Sequence, residues 1–94
     1  MQQTIVFNKE FVEKTTAKLL DNVQNYPEQI IEIIRTTKQK DGESMYSAIE
    51  QAFWNYKKDC ISWHLWFAGV DFDNLNIQLS HTNSDGDEVY LVNY

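Results

Sequence analysis

Past Lys58 the chain contains no lysine or arginine, although six acids follow: Asp59, Asp71, Asp73, Asp85, Asp87 and Glu88. Residues 1–58 hold eight acids against eight bases, so the whole formal charge of −6 belongs to residues 59–94. A stretch so one-sided repels phosphate and attracts basic surfaces, which bears on partners rather than on fold. Cysteine is nearly absent as well. The lone Cys60 excludes an intramolecular disulfide and a cysteine-based zinc site, and it suits a reducing cytoplasm. No apolar run approaches the roughly 20 residues that a membrane helix requires. Met1-Gln2-Gln3 also lacks the charged and greasy regions of a secretion signal. With one proline, three glycines and no repeat or low-complexity tract, nothing divides the chain. One domain over residues 1–94 is expected, burying roughly 60 to 65% of its unfolded surface.

Aromatic residues are what the chain has in plenty. Three Trp, five Tyr and five Phe make 14% of it, and large rings dominate both cores and protein interfaces. The β-branched opening Gln3-Thr-Ile-Val-Phe7 predicts a short strand. Asn8 is a suitable helix cap after it, with Phe7 placed to staple against Phe11 or Val12. Over residues 9–25 the residues Val12, Thr16, Leu19, Leu20 and Val23 share one helical stripe, opposite Lys14, Lys18 and Asp21. Pro27 suits the start of a second helix, with Ile30, Ile31, Ile33 and Ile34 on one face, ending near Lys40. Ser44 can cap a third, in which Met45, Ala48, Ile49, Ala52, Phe53 and Tyr56 follow helical spacing and Trp54 falls on the far side.

After Asp59 the period changes to two. Ile61, Trp63, Leu65 and Phe67 alternate with Ser62, His64, Trp66 and Ala68, which predicts a strand. Leu75, Ile77 and Leu79 predict a second, and Val89-Tyr-Leu-Val-Asn-Tyr94 a third. Asp85-Gly86 marks a two-residue type I′ hairpin turn, because both central residues need positive φ. That turn sets Ile77, Leu79 and His81 opposite Tyr94, Val92 and Tyr90; pairing Phe67 with Leu75 and Leu65 with Ile77 extends the inward face to the first strand. His64, Trp66, Asn76, Gln78, Ser80 and Leu91 then face outward. The expected fold is α+β, in the order β-α-α-α-β-β-β. Three helices pack on one face of a small antiparallel sheet that ends in a C-terminal meander.

The chemical patterns are weak. A Cys60–His64 dyad needs contact within roughly 3 Å, whereas residues four apart on a strand stand about 13 Å apart. His64 and His81 fall on opposite sheet faces, so no shared metal is expected. Asp71-Phe-Asp73 and Asp85-Gly-Asp87-Glu88 lack the calcium-loop pattern of Gly at position 6 and Glu at 12. Paired-carboxylate hydrolysis needs a pocket that a chain this small offers little room for. We therefore expect no enzyme, cofactor or metal. A winged-helix DNA reader is disfavoured because the wing at Asn83–Glu88 carries three acids, and no direct nucleic-acid or membrane binding is expected.

The reading favoured by charge is a small acidic inhibitor that covers a basic, nucleic-acid-binding surface of a partner, such as a nuclease or another DNA- or RNA-handling protein. Asp71, Asp73, Asp85, Asp87 and Glu88 are the candidate steering groups, Trp66 the candidate anchor and Trp54 a second patch. In size and charge such a protein is similar to phage-encoded anti-restriction, anti-CRISPR and glycosylase-inhibitor proteins and to immunity proteins against nuclease toxins. The alternative is a structural or assembly module, a homodimer or complex subunit whose surplus rings lie in a stable interface.

Overall fold

In the computed structural model, residues 1–21 and 45–94 are described. The elements are β1 (Gln2–Phe7), α1 (Lys9–Asp21), α2 (Met45–Asn55), α3 (Lys57–Phe67), a 3-10 turn (Phe72–Asn74), β2 (Asn76–Thr82) and β3 (Glu88–Asn93). The helix expected from Pro27 to Lys40 lies outside the described residues. Among the described residues, three helices and a three-stranded antiparallel sheet make an α+β fold.

Local chemistry explains the first turn of the chain. Asn8 Oδ1 accepts the N–H of Phe11 at 2.9 Å, satisfying one of the donors that a helix start leaves free. Phe7 then packs on Phe11 with ring centroids 5.5 Å apart, closing the staple that sets the strand-to-helix angle. Val12, Thr15, Thr16 and Leu19 are the buried stripe of α1. Its two threonines satisfy their hydroxyls within the helix, Thr15 to the Phe11 carbonyl at 2.9 Å and Thr16 to that of Val12 at 2.8 Å.

Where the sequence pattern predicts a strand from Ile61, the structure has α3. The alternation misleads because α3 is buried on more than one side. Cys60, Ile61 and Leu65 face the core, while Trp63 packs sideways on Trp66 and Phe72, with centroids 5.4 and 5.3 Å away. Burial at 61, 63 and 65 imitates a period of two. A stop signal is nevertheless present. Gly69 takes φ +92°, its N–H bonds the Trp66 carbonyl at 3.0 Å, and the Val70 N–H bonds that of Leu65 at 3.0 Å. This is a Schellman C-terminus. The break between α2 and α3 at Tyr56 also leaves that ring 66% exposed instead of on the α2 core stripe.

With residues 57–67 helical, the sheet is completed from the other side, in the order β1-β3-β2. The C-terminal meander is therefore a two-stranded hairpin, and β3 is the central strand. Its turn is one residue longer than the expected type I′ turn. Asn83 C=O accepts from Gly86 N–H at 3.0 Å, Asn83 N–H bonds the Asp87 carbonyl at 2.9 Å, and Gly86 takes φ +85°. Asn83 Oδ1 accepts the N–H groups of Asp85 and Asp87, each at 3.0 Å. A register shift between Leu79 and His81 adds a second displacement, so Ile77 faces Val92 and Leu79 faces Tyr90. Two one-residue shifts preserve parity, and Ile77, Leu79, Tyr90 and Val92 share a face as expected. His81, beyond the irregularity, pairs with Val89 and turns to the other face. The face of the central strand opposite Tyr90 and Val92 thus carries Val89, which is buried, and Leu91, which is half-buried. Ile5, Phe7, Tyr90 and Val92 meet Val12, Leu19, Ile49, Phe53, Ile61 and Leu65 in one core.

Candidate protein-binding surface

Asp71 precedes the short turn that leads into β2 and Asp73 lies within it, and both are exposed. Between them Phe72, 36% exposed, lies parallel to Trp66, with an interplanar angle of 4° and centroids 5.9 Å apart. Trp66, Gly69, Val70 and Asp71 line a shallow hollow of about 260 Å³. Two of the residues picked out from sequence, Trp66 and Asp71, therefore meet, though Trp66 stands on a helix and not on the outer face of a sheet. Phe72 escaped the sequence reading. The signal for it was a ring set between two acids directly after the Gly69 helix stop.

Asp85 and Asp87 lie at the opposite end of the hairpin, in the β2–β3 turn. β2 has seven residues, so at about 3.3 Å per residue the acidic pairs are separated by on the order of 23 Å. The described ion pairs are Lys9–Glu13, Lys14–Glu10 and Lys57–Glu88, and Asp71, Asp73, Asp85 and Asp87 take part in none of them. Glu88 departs from expectation. It is half-buried and bonded to Lys57, whose ammonium is held above its ordinary pKa chiefly by that hydrogen bond. A carboxylate already compensated inside the molecule contributes little to an outward field, so Glu88 does not belong with the other four acids.

Trp54 is half-buried, its ring edge-on to Phe7 at 5.2 Å. It lines an open cleft of about 500 Å³ with Tyr56, Lys57, Lys58, Asp59 and Tyr90. This places Trp54 apart from the Trp66–Phe72 stack, in the cleft that Lys57, the partner of Glu88, also lines.

The helical α3 brings Cys60 and His64 onto neighbouring turns, in place of the 13 Å separation expected of a strand. Their environments nevertheless oppose a dyad. Burial pushes the Cys60 thiol up to about 12, despite a hydrogen bond with Thr15. Burial, and then Lys18, hold the His64 imidazole below its ordinary range. Both groups are driven neutral, whereas an activated pair needs a thiolate beside an imidazolium. His64 packs instead on Phe11 at 4.9 Å and lines a cavity of about 240 Å³ with Phe11, Lys14, Thr15, Lys18 and Phe67. Among the described residues there is no cluster of three or more His, Cys, Asp or Glu arranged to hold a metal ion. None of the described helices is long and apolar enough to cross a membrane. No protein-family model, no curated protein and no solved structure matches this chain.

Proposed function

We propose that the protein is a small acidic inhibitor that covers a basic, nucleic-acid-handling surface of a partner protein in the cytoplasm. The reading is carried by one observation: Asp71, Asp73, Asp85 and Asp87 stand at the two ends of one hairpin without any of the described lysines as partners. Carboxylates fixed on a stiff frame impose orientation on a basic partner and raise the rate of encounter. The Trp66–Phe72 stack beside Asp71 supplies the apolar contact that slows dissociation. In character this is the work of anti-restriction, anti-CRISPR or immunity proteins, encoded by a phage or another mobile element.

Affinity capture from the host or its competitor, followed by kinetics on the retained protein, tests the proposal. The quadruple variant Asp71→Asn, Asp73→Asn, Asp85→Asn, Asp87→Asn is expected to associate at least about tenfold more slowly at low salt. Trp66→Ala is expected to act mainly on dissociation. Retention only of proteins without a basic surface counts against the proposal. The second reading, a non-enzymatic assembly module, is favoured by a different observation: among the described residues β2 is an edge of the sheet, with Leu79 53% exposed. Light scattering separates the two, since a dimer that persists on dilution supports assembly.

A further inference from the structure

Edge strands expose unpaired N–H and C=O groups, and proteins commonly guard them with lysine, proline, inward charge or brevity. β2 has no lysine, proline or inward charge, and its one guard is the irregularity between Leu79 and His81. It is an edge of the sheet and is bonded only to β3 among the described residues. From Leu75 to Ser84 there is neither a charged residue nor a proline, and six of the seven β2 residues are exposed. Leu79, on the same face as buried Tyr90 and Val92, is 53% exposed, so the apolar face continues past the helices that cover it elsewhere. The irregularity after Leu79 leaves Asn76–Leu79 as an uninterrupted run. Charge is absent from the strand yet concentrated beside it, with Asp71 and Asp73 before it and Asp85 and Asp87 after it.

We propose that the outer edge of β2 receives an extended segment of the partner as a fourth strand, with an uncharged core of alternating apolar residues and lysine or arginine at both ends. The proposal rests on the inhibitor reading above and states how that same surface is engaged. Main-chain bonds along β2 supply affinity, Leu79 supplies an apolar contact, and the acidic pairs select basic ends about seven residues apart. The same charges argue against a second copy of this chain. Pairing β2 with itself, parallel or antiparallel, sets acids against acids at both ends, where like charges repel. β1 is the other edge, but the residues that flank it are Met1 and Asn8-Lys9, so it offers no such selection.

The test uses the full chain and three synthetic peptides: alternating valine and threonine closed by a lysine pair at each end, the same core closed by glutamate pairs, and the lysine-closed peptide N-methylated at alternate backbone nitrogens. Fluorescence anisotropy reads binding, and amide hydrogen exchange reads protection of Asn76–Thr82. The lysine-closed peptide is expected to bind and to slow β2 exchange about tenfold, while the glutamate-closed peptide binds at least about tenfold more weakly at low salt. N-methylation is expected to abolish binding. Leu79→Lys, at an exposed position, is expected to weaken it about tenfold, with Leu79→Thr retaining it. If the lysine-closed peptide binds regardless of N-methylation and leaves β2 exchange unchanged, the edge is not the contact, although the acidic reading survives. If both charge types bind equally while protecting β2, the basic-ended partner is wrong, and the acidic reading falls with it. Absence of binding up to about 1 mM overturns the proposal. So does a peptide-free dimer that protects β2.

Discussion

Cys60 sits fully buried on α3 with its thiol pushed up to about 12 by that burial, so at neutral pH it is held as the unreactive thiol. Alkylation by iodoacetamide is expected to be at least about a thousandfold slower in the native protein than in urea, because the reagent must wait for the chain to open. A fast native reaction would place Cys60 at the surface. His64 gives a second test at the residue level. Its folded pKa is below the unfolded value of 6.5, so the unfolded chain binds the proton more readily. The contribution of His64 to stability is therefore complete above pH 6.5 and falls as pH drops from there through the depressed folded value. Urea midpoints of the parent are expected to decline over that window, and those of His64→Gln to decline less; parallel curves would contradict the burial assigned to the ring. The side on which His64 lies depended on whether α3 was recognised as a helix.

Among the elements, β1 was legible from its β-branched run, and α1 and α2 from the helical spacing of their apolar residues; Ser44, the cap expected for α2, lies outside the described residues. Asn8 caps α1 as its position suggests, and Ala48, Ile49 and Phe53 form the buried stripe of α2. α3 was hidden because its buried residues Cys60, Ile61, Trp63 and Leu65 spread over more than half of its circumference, which blurs the 3.6-residue stripe and leaves an alternation at 61, 63 and 65. The Gly69-Val70 pair was the legible clue, since a glycine followed by an apolar residue is how a Schellman end is spelled. Gly69 has open space around its Cα, so Gly69→Ala costs only the backbone penalty at φ +92°. That penalty is about 1 kcal/mol, or a fall in melting temperature of about 4 to 8 °C. Gly69→Asn is expected to lose less, because asparagine tolerates the left-handed region. An unchanged melting temperature for Gly69→Ala would mean that α3 does not end in this turn. The hairpin failed differently: Ile77, Leu79, Tyr90 and Val92 were correctly grouped but His81 was not, because the turn and the strand each hold one residue more than a two-residue loop allows.

At the scale of the whole molecule, the charge division read from composition acquires positions. α3 begins beside the hairpin turn, where Lys57 meets Glu88, and the chain emerges from it towards the start of β2, where Asp71 and Asp73 stand. The connection through residues 57–75 thus carries the chain from one end of the hairpin to the other, as a strand there would have done. This is why the two acidic ends were foreseeable although the element between them was not. Pairing within the molecule was not foreseeable, because nothing in the order of residues reveals that Lys57 faces Glu88 and spares the four aspartates. The most direct measurement is the association rate of the captured basic partner with the parent and with the four-aspartate variant, taken from low to high salt. The parent is expected to associate at least about tenfold faster at low salt and the two rates to converge as salt screens the carboxylates. Equal rates at low salt would contradict the account.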